Sequence, residues 1–230
     1  MTAIRQALFV RLRQAAGEDW DGFVGHEFVR RLGDGTLPED CFRHYLSQDY
    51  LFLKQFARAY GLAVYKSDSL EDMRQAAAGM AGILDEMGLH VKYCHDWSLS
   101  SDEMAVVAEA PATTAYTRFV LDCGAAGDLL DLHVAMAPGV MGYAEIGRRL
   151  KEKAGRAGRG RPVVDNPYQA WIDSYAGEEY QSLAGGLAAH LDHLMAERGG
   201  AGRFDRLAAT FRQAVRLEID FWAMGLSLTR

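Results

Sequence analysis

The chain has 230 residues, 49% of them apolar and 24% charged, with 31 acidic against 25 basic side chains and a net charge of −6. This is ordinary globular composition, and the acidic balance weighs against nucleic acid as the main partner. No apolar run approaches the roughly 18 residues of a membrane span, and a chain of this length buries roughly 70% of its unfolded surface, so neither a disulfide nor a structural metal is required for folding. Cys41, Cys94 and Cys123 are an odd set without a CxxC spacing, which fits a reducing compartment. Arg5, Arg11 and Arg13 belong to an amphipathic pattern, not to a basic segment leading into an apolar core, so no signal peptide is read. The expectation is a cytoplasmic protein with no membrane partner, forming a single domain over 1–230.

Apolar residues recur at three and four positions, the helical spacing. Ile4, Ala7, Leu8, Leu12 and Ala15 make a first stripe. Gly33-Asp34-Gly35-Thr36-Leu37-Pro38-Glu39 reads as a turn ending in a helix start, with Thr36 or Leu37 in the cap region and Pro38 in the first turn. In the helix that follows, Phe42, Tyr45, Leu46, Asp49, Tyr50, Leu53, Phe56, Ala57 and Tyr60 share a broad face, placing a carboxylate inside an aromatic stripe. Leu70, Met73, Ala77, Met80, Leu84, Met87, Val91 and Cys94 continue the pattern, as do Tyr116, Phe119, Val120 and Cys123 after Pro111. The stretch 134–150 predicts a helix interrupted at Pro138-Gly139. A Gly- and Arg-rich linker is expected over 155–162, then helices over 171–194 and 204–228. β-type alternation does not persist, so the expected fold is an all-α bundle of about seven or eight helices.

Several aromatic and acidic residues fall on faces expected to point inward: Asp49 and Phe52, Tyr116, Tyr143 and Glu145, Tyr175, and Glu218 beside Phe221 and Trp222. Buried carboxylates are costly unless they are paired or used. Singly, each has a structural reading as a gap-filling tyrosine, a cap or an ion pair. Together they describe an aromatic pocket with hydrogen-bonding carboxylates, suited to a flat nitrogen heterocycle.

Leu32-Gly33-Asp34-Gly35-Thr36-Leu37-Pro38, Gln48-Asp49-Tyr50 and Phe56-Ala57-Arg58-Ala59-Tyr60 closely resemble the opening of the TenA/THI-4 family, the aminopyrimidine aminohydrolases or thiaminase II. Ala115-Tyr116-Thr117, Pro138 followed by Tyr143-Ala144-Glu145-Ile146-Gly147, Trp171-Ile172-Asp173-Ser174-Tyr175, and Glu218 before Phe221-Trp222 agree in order and spacing over nearly the whole chain. The resemblance implies a haem-oxygenase-like helical bundle, a homotetramer, and hydrolysis in thiamin pyrimidine salvage with no cofactor and no metal. It implies that Asp49 binds the aminopyrimidine edge, that Tyr116, Tyr143 and Tyr175 surround the ring and orient the catalytic groups, with Tyr143 counted among the catalytic residues, and that Glu218 exchanges a proton with a ring nitrogen. Phe52 stands where many members carry another tyrosine.

Gly139 departs from the pattern. The well-known branch of the family has a nucleophilic cysteine immediately after this proline, and glycine cannot supply covalent catalysis. Three readings follow: a branch that works without this cysteine, a relative that only binds the pyrimidine, or a chain inactivated by design. Cys123, seven residues after Tyr116, and Cys94, four after His90, are the candidates to replace the thiol, though a lone cysteine in an apolar stripe is more often inert.

A metal-dependent oxidase of the same bundle shape is the alternative enzyme class. Glu86 and His90 are four apart on one helix, and Glu145, His190 and His193 are the residues to complete a set. Arg148, Arg149, Lys151, Lys153, Arg156, Arg159 and Arg161 gather against Glu145 and Glu152, which reads as a solvated loop or as an attractor of anions. Without a helix-turn-helix pattern beside them, nucleic acid is not an expected partner. Phe9, Trp20 and Phe23 look exposed near the N-terminus and exceed what the core needs, which fits an oligomer.

Overall fold

A computed structural model describes residues 7–97, 104, 106–157 and 166–229. Among them the regular structure is helical: α1 (Leu8–Ala16), α2 (Glu18–Val24), α3 (Glu27–Gly33), α4 (Glu39–Lys66), α5 (Leu70–Asp96), α6 (Pro111–Ala126), α7 (Leu129–Ala157), α8 (Gln169–Ala176), α9 (Glu178–Arg198) and α10 (Arg203–Ser227). No described helix is long and apolar enough to cross a membrane. The helices group into two compact units, one of residues 1–37 and 137–219, the other of 38–136 and 220–230.

In the first unit α1 buries Leu8 and Leu12 of the predicted stripe, with Ala16 buried in place of the expected Ala15 and Ala7 and Ala15 half-buried; Ile4 and Arg5 lie outside the described residues. Trp20 stacks on Phe211 at 5.7 Å, and Phe23 is fully buried. The expectation that Trp20 and Phe23 are exposed is therefore wrong: both rings face the unit's own core, so they are no argument for an oligomer. The turn before α4 folds as expected, since Gly35 takes a left-handed φ of 69°. Asn166 fixes that turn by donating from Nδ2 to the carbonyls of Leu32 and Gly33.

The α7 helix does not break at Pro138-Gly139 but runs through both residues. A proline inside a helix costs one backbone bond and some bending, which surrounding packing can override. Its C-terminal end reaches Ala157, so the expected linker begins later than residue 155; Arg159, Arg161 and Pro162 lie outside the described residues, as does the side chain of Arg156. Conversely, the helix expected over 171–194 is two helices, because Gly177 is extended at φ −67°, ψ 152° between α8 and α9.

In the second unit α4 begins at Glu39 and its N-cap is Pro38, extended and outside the first turn, so the helix starts later than the expected cap at Thr36 or Leu37; Glu39 and Asp40 stand in the first turn, where negative charge interacts favourably with the helix dipole. The inward face of α5 is turned by about one residue from the predicted stripe. Asp72, Ala76 and Ile83 are buried while Ala77 and Leu84 are exposed. Gly79 explains the offset: a Cβ there would lie 2.3 Å from the Tyr60 ring, so the missing side chain admits the α4 tyrosine and orients α5. Gln48 and Gln55 of α4 hold the segment that enters α6, through Ala108, Ala110, Thr113 and Glu109.

Candidate functional site

The sequence-predicted residues fall into two sets. Asp49, Phe52 and Tyr116 belong to the second unit; Gly139, Tyr143, Tyr175 and Glu218 belong to the first.

On α4, Tyr45, Asp49, Phe52 and Phe56 follow at four, three and four residues, so they rise along one helix face. Phe52 is 4.5 Å from Phe56, 5.0 Å from Tyr116 of α6 and 5.5 Å from Phe221 of α10, centroid to centroid. Tyr45 lies 5.3 Å from Trp222 and 6.0 Å from Phe221. Within this aromatic wall Asp49 is only 3% exposed. Burial raises its carboxyl from an ordinary 3.8 to about 7, and a hydrogen bond from the Tyr45 hydroxyl offsets part of that rise. Asp49 can therefore hold or release a proton near neutrality. Tyr45 stood in the predicted stripe but not among the predicted site residues; its position four residues before Asp49 was the available signal.

In the first unit Tyr143 and Tyr175 lie 5.0 Å apart, and Trp171 joins them at 6.0 Å and 4.6 Å respectively. Trp171 lies in the family motif but outside the residues expected in the site. The close approach depends on α7 glycines: a Cβ on Gly142 would meet the Phe23 ring, and one on Gly147 would lie 2.6 Å from the Tyr175 carbonyl carbon. Gln181 ties the cluster together by donating to the carbonyls of Ala144 and Tyr175 at 2.9 and 2.7 Å. Gly139 is half-buried in α7, and Glu218 of α10 is 1% exposed.

Glu145 has a different fate. One carboxylate oxygen accepts from Arg13 at 3.0 Å and pairs with Arg149, and the other accepts from the Trp20 indole at 3.2 Å. An acid so fully engaged by two guanidinium groups holds helices together and is poorly placed to ligate a metal. Of the other residues of the oxidase alternative, His193 is exposed and pairs with Glu197, His190 is buried, and Glu86 acts electrostatically on Tyr60. The His90 side chain lies outside the described residues.

Neither described cysteine suits a nucleophilic role. Cys41 is buried and donates from Sγ to the Leu226 carbonyl at 3.4 Å. Burial, then Asp122 and Asp131, push the Cys123 thiol up to about 11, which disfavours the reactive thiolate. The Cys94 side chain lies outside the described residues.

Comparison with known proteins gives one consistent answer. Residues 13–228 match the TENA/THI-4/PQQC family. An uncharacterised protein of Haemophilus influenzae is 38% identical over 218 residues, covering 95% of this chain and 98% of that one. An aminopyrimidine aminohydrolase of Halalkalibacterium halodurans is 34% identical over 218 residues, 93% of each chain. Among solved structures, a TenA family transcription regulator from a Silicibacter species superimposes with a TM-score of 0.88 at 39% identity, covering 99% of this chain and all of the other. A Shewanella denitrificans domain with a haem-oxygenase-like fold matches at TM-score 0.71 and 12% identity over 96% of this chain and 92% of its own. The fold is thus the haem-oxygenase-like helical bundle.

Proposed function

Because the chain belongs to the TENA/THI-4/PQQC family, we propose that it hydrolyses aminopyrimidines of the 4-amino-5-aminomethyl-2-methylpyrimidine type in thiamin pyrimidine salvage. The observation that carries this reading is Asp49, a buried carboxyl with a pKa of about 7 set in an aromatic wall. A flat ring stacks on aromatic side chains, and a carboxylate accepts a hydrogen bond from an exocyclic amine. The relative named an aminopyrimidine aminohydrolase supports the substrate class.

In this reading the chain works as one domain, since the family match runs through both units. Asp49 binds the amino edge, and Phe52 and Tyr116 supply ring surface. Tyr143 and Tyr175 carry the orienting roles implied by the family resemblance. Glu218 exchanges a proton with a ring nitrogen, work suited to a carboxyl buried as deeply as this one. Gly139 removes the thiolate step. Water then takes the place of the thiol: Glu218 accepts a proton from it as the oxygen bonds to the substrate's methylene carbon, the C–N bond breaks, and that proton passes to the departing amine nitrogen, which leaves as ammonia while the Glu218 carboxylate is restored. A formylamino pyrimidine offers an easier carbon to the same water.

Calorimetry with hydroxymethyl-aminopyrimidine tests the binding half of the proposal, and no heat at millimolar ligand overturns it. For the reaction, Gly139→Cys should raise aminopyrimidine hydrolysis by orders of magnitude if the glycine replaces a lost nucleophile. Unchanged activity in that variant, with loss of a native activity in Glu218→Gln, assigns the water route. Gly139 itself favours the second reading, a binder without catalysis, which is the outcome if neither variant turns over any pyrimidine. The assembly proposed is a cytoplasmic homotetramer, supported by exposed Tyr65, Leu70 and Leu84; a monomeric mass by light scattering refutes it.

A further inference from the structure

The start of α6 carries no cap of its own. Its N-cap residue is Ala110, which has no side-chain acceptor, and Pro111 follows at the first helical position. The residues around this entrance are held instead from α4. Gln48, 1% exposed, accepts from the Ala110 backbone N–H at 2.9 Å and from the Thr113 hydroxyl at 2.7 Å, and its Nε2 donates to the Ala108 carbonyl at 3.0 Å. One side chain thus satisfies two donors and an acceptor at the helix entrance. Seven residues on, two helical turns along the same face of α4, Gln55 donates to Glu109 at 3.1 Å. Glu109 is also held by Arg118 at 2.6 Å and Thr114 at 3.3 Å. The two glutamines grip the entrance to α6 from one side.

What this grip places is Tyr116. It lies three residues after Thr113, is fully buried, and packs on Phe52, itself four residues after Gln48 on the gripping helix. The geometry points to Gln48 as a positioning residue for ligand binding: by docking the α6 entrance on α4 it sets the Phe52–Tyr116 ring pair against which the pyrimidine lies. This rests on the pyrimidine-binding reading above. Gln48 touches no reacting atom in it and acts through Tyr116. Misplacement by an ångström is enough to cost a binding site much of its complementarity.

The test measures the Kd for hydroxymethyl-aminopyrimidine in the full chain, in Gln48→Met and in Leu132→Ala, a buried-residue variant outside the clamp that serves as the stability control. Gln48→Met should weaken binding about tenfold, while a Leu132→Ala protein of equal melting loss binds as the unaltered chain does. Thr113→Val, which deletes one of the three bonds, should weaken it about threefold and serves if Gln48→Met does not fold. Unchanged affinity in both clamp variants, or an equal loss in Leu132→Ala, overturns the inference. Failure of the unaltered chain to bind instead overturns the pyrimidine reading itself, and the inference with it.

Discussion

Asp49 and Glu145 look alike in the sequence, each an acid on a helix face otherwise given to aromatic and apolar residues, yet the protein treats them in opposite ways. Glu145 in the first unit is held by two arginines and an indole. Asp49 in the second unit is offset by a phenol, a neutral donor, and its carboxyl rises to about 7. Ion pairing fixes a charge in place as scaffold. Burial among rings with a neutral donor leaves the proton free to move, which is what a binding or catalytic acid requires.

The sharpest way to break this contrast is the pH dependence of stability. Between the unfolded Asp49 pKa near 4 and its folded value near 7, the folded chain holds a proton the unfolded chain has released. Stability from this group is therefore full below pH 4 and is lost as pH rises through 7, by on the order of a few kcal/mol. Asp49→Asn should remove that slope and unfold at higher denaturant than the unaltered chain at pH 8; equal urea midpoints at pH 8 would place the carboxyl among charges instead. The same variant should weaken hydroxymethyl-aminopyrimidine binding by about 100-fold, the loss expected for a charge-assisted hydrogen bond. Calorimetry reads it, and the two results together show a residue that costs stability and provides binding.

Glu145→Leu should do the reverse, lowering stability by about 2 kcal/mol in urea titration, mainly because the buried Trp20 N–H loses its acceptor. Smaller still is Arg13→Gln, since the arginine side chain is 42% exposed and water screens the pair. A loss of about 0.5 kcal/mol, shrinking further in high salt, is expected from thermal melts at two salt concentrations.

Helices and motif residues were legible because they rest on local periodicity: the α4 stripe, the Gly35 turn and the α10 face all follow from spacing. The errors arose where packing decides. Trp20 and Phe23 read as surplus because their partners, Phe211 and Tyr143, lie more than a hundred residues away in the chain. The α5 face was off by a residue because Gly79 admits Tyr60, which the helix's own periodicity does not reveal. The different fates of Asp49 and Glu145 were illegible for the same reason: Arg13 and Trp20 come from the other end of the first unit. The stripe did place Asp49 among aromatics with Tyr45 four residues before it, but not that phenol's hydrogen bond to the carboxyl.

Helix α7 has a consequence for the order in which the chain folds. It contains Pro138 together with Gly139, Gly142, Gly147 and Gly155, which relative to alanine cost its helical state roughly 7 kcal/mol. A peptide of residues 129–157 would have little helix in water, because nucleation is already unfavourable without such penalties. The α4 helix is nearly as long and carries one glycine, Gly61, and no proline. Helical structure should therefore appear early in α4, while α7 becomes helical only as Phe23 and Tyr175 close on the glycines that receive them. Transition-state mutational analysis would then find formed contacts around Leu46 and Leu53, and contacts still unmade around Ala144 and Ile146.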